Sequence, residues 1–96
     1  MRPENIGRRM RLIRLAFNMK PAEIADFLEI ERTYWSRFEG GRRPPSDEVA
    51  YLLVDRFGVT LDWLILGRWD KLSLDVATKL RDAEARLASE SSPDNS

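Results

Sequence analysis

Cysteine and histidine are both absent from this 96-residue sequence. Their absence excludes disulfide bonds, thiolate nucleophiles, an imidazole general base and nearly all transition-metal sites. The sequence also contains no glycine-rich phosphate loop to organise the remaining Ser, Lys, Asp and Glu side chains for catalysis. We therefore predict a protein that is not an enzyme and that uses no metal and no cofactor.

Long apolar runs are absent as well, and none reaches the roughly 20 residues that a membrane-spanning helix needs. The N-terminus, Met1-Arg2-Pro3-Glu4-Asn5, leads into an Arg-rich segment instead of the apolar core of a signal peptide. We therefore expect a cytoplasmic protein with no membrane partner. The composition, 43% hydrophobic and 33% charged, suits one compact domain.

The net charge is zero, but the two signs are unevenly distributed along the chain. Residues 1–45 contain ten bases and six acids, whereas residues 46–96 contain six bases and ten acids. A locally basic surface attracts a polyanion even on a neutral molecule. Ordinary solvated charge is the alternative interpretation, and composition alone does not separate the two.

Apolar residues recur at helical spacing, and no segment alternates as a strand would. The helix boundaries are predicted from capping and terminating residues, namely Asn18, Pro21, Ser46, Gly58, Thr60 and Gly67. The resulting prediction is an all-α protein. A five-helix domain occupies residues 1–67, an additional C-terminal helix lies within residues 68–88, and residues 89–96 form a disordered tail.

Two of these helices are predicted to form a helix-turn-helix, because they are short, are joined by Glu29-Ile30-Glu31 and are followed by a basic loop. A helix with its side chains is about 10–12 Å across, and the major groove of DNA is about 12 Å wide. The outer face of the second helix therefore fits the groove, where Arg bonds guanine and Thr or Ser bonds several bases. The predicted base-reading residues are Arg32, Thr33, Ser36 and Arg37.

Phosphate contacts are expected beside this helix. Arg42 and Arg43 lie in the loop that follows it. Tyr34 is exposed by its helical phase and is either a further phosphate contact or a surface residue without a role. Trp35 and Phe38 point the other way and are predicted to be in the core.

Four segments of the sequence resemble the phage repressor and Cro family of helix-turn-helix proteins, also called the XRE family. They are Ile6-Gly7-Arg8-Arg9-Met10-Arg11, Ala22-Glu23-Ile24-Ala25-Asp26-Phe27-Leu28, Ser36-Arg37-Phe38-Glu39-Gly40-Gly41-Arg42-Arg43-Pro44-Pro45-Ser46 and Phe57-Gly58-Val59-Thr60-Leu61-Asp62-Trp63-Leu64. The resemblance implies a lambda-repressor-like five-helix bundle whose third helix reads the major groove, usually as a dimer on a two-fold symmetric operator. It also implies a structural ion pair between Arg14 and Glu39, which joins the first helix to the end of the third.

The sequence departs from the usual pattern of this family at the turn and at the start of the second helix. Glu29 stands where a glycine is usual, and a left-handed backbone at a non-glycine residue costs on the order of 1 kcal/mol. Glu31 replaces the usual Ser or Thr and adds negative charge near the DNA. Lys20 and Pro21 replace the usual Ser-Gln, so a side-chain amide that commonly contacts a phosphate is missing. Lys20 is itself predicted to contact the DNA backbone.

A second apolar stripe on the first helix has a counterpart on the sixth helix. The first stripe comprises Leu12, Leu15 and Met19. Because a large exposed apolar patch is a liability, either the sixth helix folds back onto the first or the stripes meet across a subunit boundary. We hypothesise that residues 61–88 form most of a homodimer interface. Its predicted contacts are Leu72, Val76, Leu80 and Leu87.

The sequence is therefore interpreted as a sequence-specific regulator that binds double-stranded DNA, most simply a repressor that occupies its operator as a homodimer. One alternative is an antitoxin that represses its own operon and masks a basic toxin partner with its acidic C-terminal region. Another is a protein-interaction module that has kept the fold and lost DNA binding. Pro21, Glu29, Glu31 and the zero net charge favour it, whereas Arg32, Arg37, Arg42 and Arg43 oppose it.

Overall fold

The computed structural model describes residues 2–91, a range that contains six α-helices and no strand. This confirms the predicted all-α class. The helices are α1 (Pro3–Ala16), α2 (Pro21–Phe27), α3 (Arg32–Glu39), α4 (Asp47–Phe57), α5 (Leu61–Leu66) and α6 (Leu74–Ser91). No helix within the described range is long and apolar enough to cross a lipid bilayer.

The ends of the helices follow from local chemistry. Ser46 Oγ accepts a hydrogen bond from the Val49 N–H at 3.3 Å, and Thr60 Oγ1 accepts one from the Trp63 N–H at 3.0 Å. These side chains satisfy amide groups that have no partner within the first turn of α4 and α5. At the C-terminal end of α4, Gly58 adopts φ 74° and terminates the helix in the left-handed conformation.

The core is built around two tryptophans, Trp35 of α3 and Trp63 of α5, which are 0% and 1% exposed. Met10 and Ile13 of α1 and Leu53 of α4 are fully buried with them. The large side chains of these helices thus meet in one apolar cluster, and no charged or polar residue of the described chain is buried in it.

A close approach between α1 and the end of α3 depends on Gly7. A Cβ atom at this position would lie 2.5 Å from the carbonyl oxygen of Phe38 and 2.7 Å from that of Glu39. Only glycine allows the two backbones to come this near. The contact fixes the end of α3, the helix that carries the predicted base-reading residues, against α1.

The sixth helix returns along α1 within the same chain. Val76, Leu80 and Leu87 are 9%, 0% and 6% exposed, and Leu72 is half-buried just before the helix. Arg86 Nη2 also donates a hydrogen bond to the carbonyl oxygen of Leu15 at 3.0 Å. Within this chain the four apolar residues predicted to form a homodimer interface pack intramolecularly, and their part in a dimer stays a prediction.

The sixth helix also continues further than the sequence predicts. Residues 89–91, expected to belong to a disordered tail, form the last turn of α6. A helix that is already nucleated and packed extends at little cost, and Glu90 is a good helix former. The rest of the predicted tail, residues 92–96, lies outside the described residues.

Candidate nucleic-acid interface

Helices α2 and α3 are joined by a tight turn that its own backbone stabilises. The Leu28 N–H donates to the Ile24 carbonyl oxygen and the Ile30 N–H donates to the Ala25 carbonyl oxygen, both at 3.0 Å. Glu29 has φ 59°, in the left-handed region that favours glycine. The residue that departs from the expected glycine therefore adopts the conformation that glycine would adopt, with the strain that this implies.

Helix α3 presents one apolar and one polar face. Trp35 and Phe38 are buried at 0% and 4% exposure and attach the helix to the core. The structure places all four predicted base-reading residues on the opposite, exposed side: Arg32, Thr33, Ser36 and Arg37. Their spacing along an eight-residue helix puts them on adjacent turns, so they form one surface that can face a ligand.

The first residue of this surface, Arg32, is paired with Asp26 of α2. Arg32 Nε donates to Asp26 Oδ1 at 3.2 Å and Arg32 Nη2 donates to Asp26 Oδ2 at 2.8 Å. The hydrogen bond lowers the pKa of the Asp26 carboxyl below its ordinary value and raises the pKa of Arg32. Both groups are therefore charged at neutral pH, and the pair as a whole is electrically neutral.

The other cations at the site are less constrained. Arg37 and Arg42 are exposed, and no ion pair joins either of them to another described residue. Arg43 lies over the ring of Tyr34, with its guanidinium carbon 5.6 Å from the ring centroid. Lys20 is exposed directly before α2. Every predicted backbone-contact residue thus keeps a surface position from which a phosphate can be reached.

The loop that carries Arg42 and Arg43 has a defined backbone. The Arg42 N–H donates to the Arg37 carbonyl oxygen at 3.0 Å. Gly41 adopts φ 75°, and a Cβ atom there would lie 2.8 Å from the Cα atom of Glu4. The loop therefore packs closely against the start of α1, so the backbone that carries the two arginines is held in place.

The predicted ion pair is present at the far end of α3. Arg14 donates from Nε and Nη2 to the two carboxylate oxygens of Glu39, each at 2.9 Å. Trp35 Nε1 donates a further hydrogen bond to Glu39 Oε1 at 2.6 Å. Glu39 is therefore engaged with α1 and with its own helix, and its charge is compensated.

Two residues with a place at this surface were not identified from the sequence. Asp26 is separated from Arg32 by the turn, so helical periodicity does not reveal their contact. Arg11 lines a cleft of about 260 Å³ together with Pro21, Ser36 and Gly40. Arg11 lies one turn before Arg14 on the same face of α1, and Arg14 contacts the end of α3. This helical phase is the sequence signal that could have placed Arg11 beside α3.

Negative charge lies next to the surface as well. Glu29 and Glu31 are exposed and line a cleft of about 410 Å³ with Ile30, Tyr34 and Arg43. The electrostatic character of this surface is therefore mixed: basic at the end of α3 and acidic at the turn that precedes it.

Comparison with known proteins bears on this geometry. A family model described as a helix-turn-helix domain matches residues 5–64, which include most of α1, all of α2 to α4 and most of α5. Searches of curated proteins and of solved structures gave no match. The family match covers more than half of the chain and includes the α2–α3 unit described above. The chain therefore belongs to the helix-turn-helix domain family.

Proposed function

We propose that this protein is a sequence-specific regulator that binds double-stranded DNA through α3 in the major groove. The observation that carries the proposal is the exposed face of α3, with Arg32, Thr33, Ser36 and Arg37 opposite a buried Trp35. Guanidinium and hydroxyl groups on a rigid helix are suited to hydrogen bonding with base edges. The proposed role is one of binding, without a catalytic step, metal or cofactor, and its place of action is the cytoplasm.

The proposed mode of action is repression by occupancy, in which the bound protein excludes polymerase from the operator. The closer relationship to phage repressor and Cro proteins is part of this proposal and rests on the four sequence segments quoted above. The geometry of α3 supports major-groove docking, and Arg42 and Arg43 at its end support phosphate contacts.

We further propose that the protein acts as a homodimer on a two-fold symmetric operator. The two α3 helices would then enter successive major grooves about 34–36 Å apart. The apolar stripe of α6 is packed within the chain, so within the predicted interface of residues 61–88 we look to the apolar side chains that stay exposed. Leu61, Leu66 and Leu74 remain 40%, 48% and 84% exposed on α5 and at the start of α6. A stable monomer at micromolar concentration in sedimentation would contradict the homodimer.

Selection from randomised duplex DNA at moderate salt tests this function. Enrichment of a two-fold symmetric site by the wild-type protein is expected, and the spacing of its half-sites reports the separation of the two α3 helices. Folded protein that enriches no sequence would overturn the proposal. In that case the carboxylates of Glu29 and Glu31 beside α3 would favour a protein-interaction module.

The antitoxin alternative uses the same DNA-binding surface and adds a basic toxin as partner. The exposed acidic side chains of α6, among them Asp82 and Glu90, favour it. A basic protein encoded beside this one would then bind it, and replacing Asp82 and Glu90 by Gln would weaken that complex without changing DNA binding.

A further inference from the structure

The pairing of Arg32 with Asp26 has a consequence for base recognition. Both side chains are largely in solvent, at 66% and 59% exposure. Exposed ion pairs contribute little to folding stability, so the main effect of this pair is on the orientation of the arginine. Two hydrogen bonds to one carboxylate hold the guanidinium in one plane and one direction.

The donors that remain on Arg32 can be counted. A guanidinium group has five N–H donors, one on Nε and two on each of the terminal nitrogens. Asp26 accepts hydrogen bonds from Nε and from Nη2. The side edge of the guanidinium, which these two nitrogens form, is therefore occupied. Two parallel donors, one on each terminal nitrogen, are left at the end edge. A pair of parallel donors matches the O6 and N7 acceptors of guanine.

The charge of the Asp26–Arg32 pair also favours a role of Arg32 in base recognition. Because the Asp26 carboxylate compensates the Arg32 guanidinium, the pair offers little net attraction to a phosphate. Arg37, which no described carboxylate pairs with, keeps its full charge. The arginine at the start of α3 is thus suited to selecting a base, whereas the unpaired cations also supply sequence-independent affinity.

We propose that Asp26 is a specificity-determining positioning residue, which holds Arg32 so that its end edge reads one guanine in each half-site. This inference rests on the proposed DNA-binding function and adds to it. It assigns to α2 a role in base choice without any contact between Asp26 and the DNA.

The test compares base preference at every half-site position for the wild-type protein, Asp26→Ala, Arg32→Ala and the double variant. At one position the wild type is expected to prefer guanine by tenfold or more. Asp26→Ala should reduce that preference by about tenfold and leave the other positions unchanged. Arg32→Ala should act at the same position, and the double variant should lose no more than Arg32→Ala alone.

Two further variants serve as references. Asp26→Asn keeps the size of the side chain and one acceptor oxygen, so an intermediate loss of preference is expected. Asp75→Ala removes one carboxylate from an exposed ion pair of α6, with Lys79 at 3.4 Å. It changes the net charge by the same amount as Asp26→Ala but lies outside the helix-turn-helix, so it should leave base preference unaltered.

The outcomes separate the two proposals. If the wild type selects a site but Asp26→Ala retains the guanine preference, as the Asp75→Ala reference should, the DNA-binding function stands and the role of Asp26 is refuted. A change in affinity that is equal for all sequences in Asp26→Ala has the same meaning. The same holds if Asp26→Ala and Arg32→Ala act at different positions. If the folded wild type selects no sequence, both proposals fall.

Discussion

Arg14 of α1 and Glu39, the last residue of α3, are joined by two parallel hydrogen bonds of 2.9 Å. The two side chains are only 12% and 16% exposed, and Trp35 donates to the same carboxylate from the core side. Charged groups held together in a partly water-excluded site constrain each other's position. The pair therefore sets the orientation of α3, and of the residues on its outer face, relative to α1.

Arg14→Met is expected to lower the free energy of unfolding by about 3 kcal/mol, because it leaves a partly buried carboxylate without its partner. Arg11 Nε, at 4.0 Å, is then the nearest remaining cation to Glu39. Glu39→Gln should cost less, about 1–2 kcal/mol, because a neutral amide oxygen still accepts from Trp35. Urea denaturation measures both values. Equal costs for the two variants would contradict this account of the ion pair.

Gly7→Ala is expected to destabilise the protein by about 2–3 kcal/mol, although alanine is the better helix former. The added methyl group would meet two backbone carbonyl oxygens, those of Phe38 and Glu39, which cannot move independently. Gly40→Ala is the matched control, since its φ is −78° and the nearest atom to an added Cβ, Ser36 O, lies at 3.1 Å. Denaturation curves in which the two variants lose equal stability would argue against the close approach of α1 and α3.

Glu29→Gly is expected to stabilise the protein by about 1 kcal/mol relative to Glu29→Ala. Both variants remove the carboxylate, but only glycine relieves the left-handed backbone at φ 59°. The comparison by thermal or chemical denaturation therefore isolates the strain of the turn from its charge. Equal stabilities would indicate that the turn is unstrained.

The pKa of Asp26 is expected to lie below that of an ordinary aspartate and to rise toward it in Arg32→Ala. The hydrogen bond from Arg32 is the largest cause of the lowering, and the attraction between the two charges adds to it. Because the pKa is lowered by folding, the contribution of the pair to stability is present above the unfolded-state pKa. It is lost as the pH falls through the lower folded-state pKa. Carboxyl NMR titration of both proteins measures this, and an unchanged midpoint in Arg32→Ala would contradict the pairing.

Local chemistry in the sequence was sufficient to predict most of the helix boundaries and the polar face of α3. Ser46 and Thr60 cap helices because their hydroxyl oxygens accept hydrogen bonds from amides three residues further along the chain, which requires only nearby residues. The inward position of Trp35 follows from helical periodicity in the same way. These features depend on short-range geometry, which the sequence encodes directly.

Features that depend on how helices meet could not be predicted in this way. The apolar stripe of α6, which includes Leu80, fits an intramolecular contact as well as an intermolecular one, and the sequence does not choose between them. The pairing of Asp26 with Arg32 depends on the path of the turn, and the role of Gly7 depends on the separation of α1 and α3. Each requires the relative placement of two elements, which periodicity does not provide.

The most direct test of the central claim, base recognition by α3, is the ratio of affinities for the selected duplex and for a shuffled duplex of equal length. The wild type is expected to show a ratio of about 10³ or more at physiological salt. Arg37→Ala should reduce that ratio by about ten- to a hundredfold, the equivalent of roughly 1–3 kcal/mol. Arg68→Ala, which removes an exposed arginine after α5, is the control and should preserve it. Equal affinity of the wild type for both duplexes, or equal losses on both in Arg37→Ala, would contradict base recognition by α3.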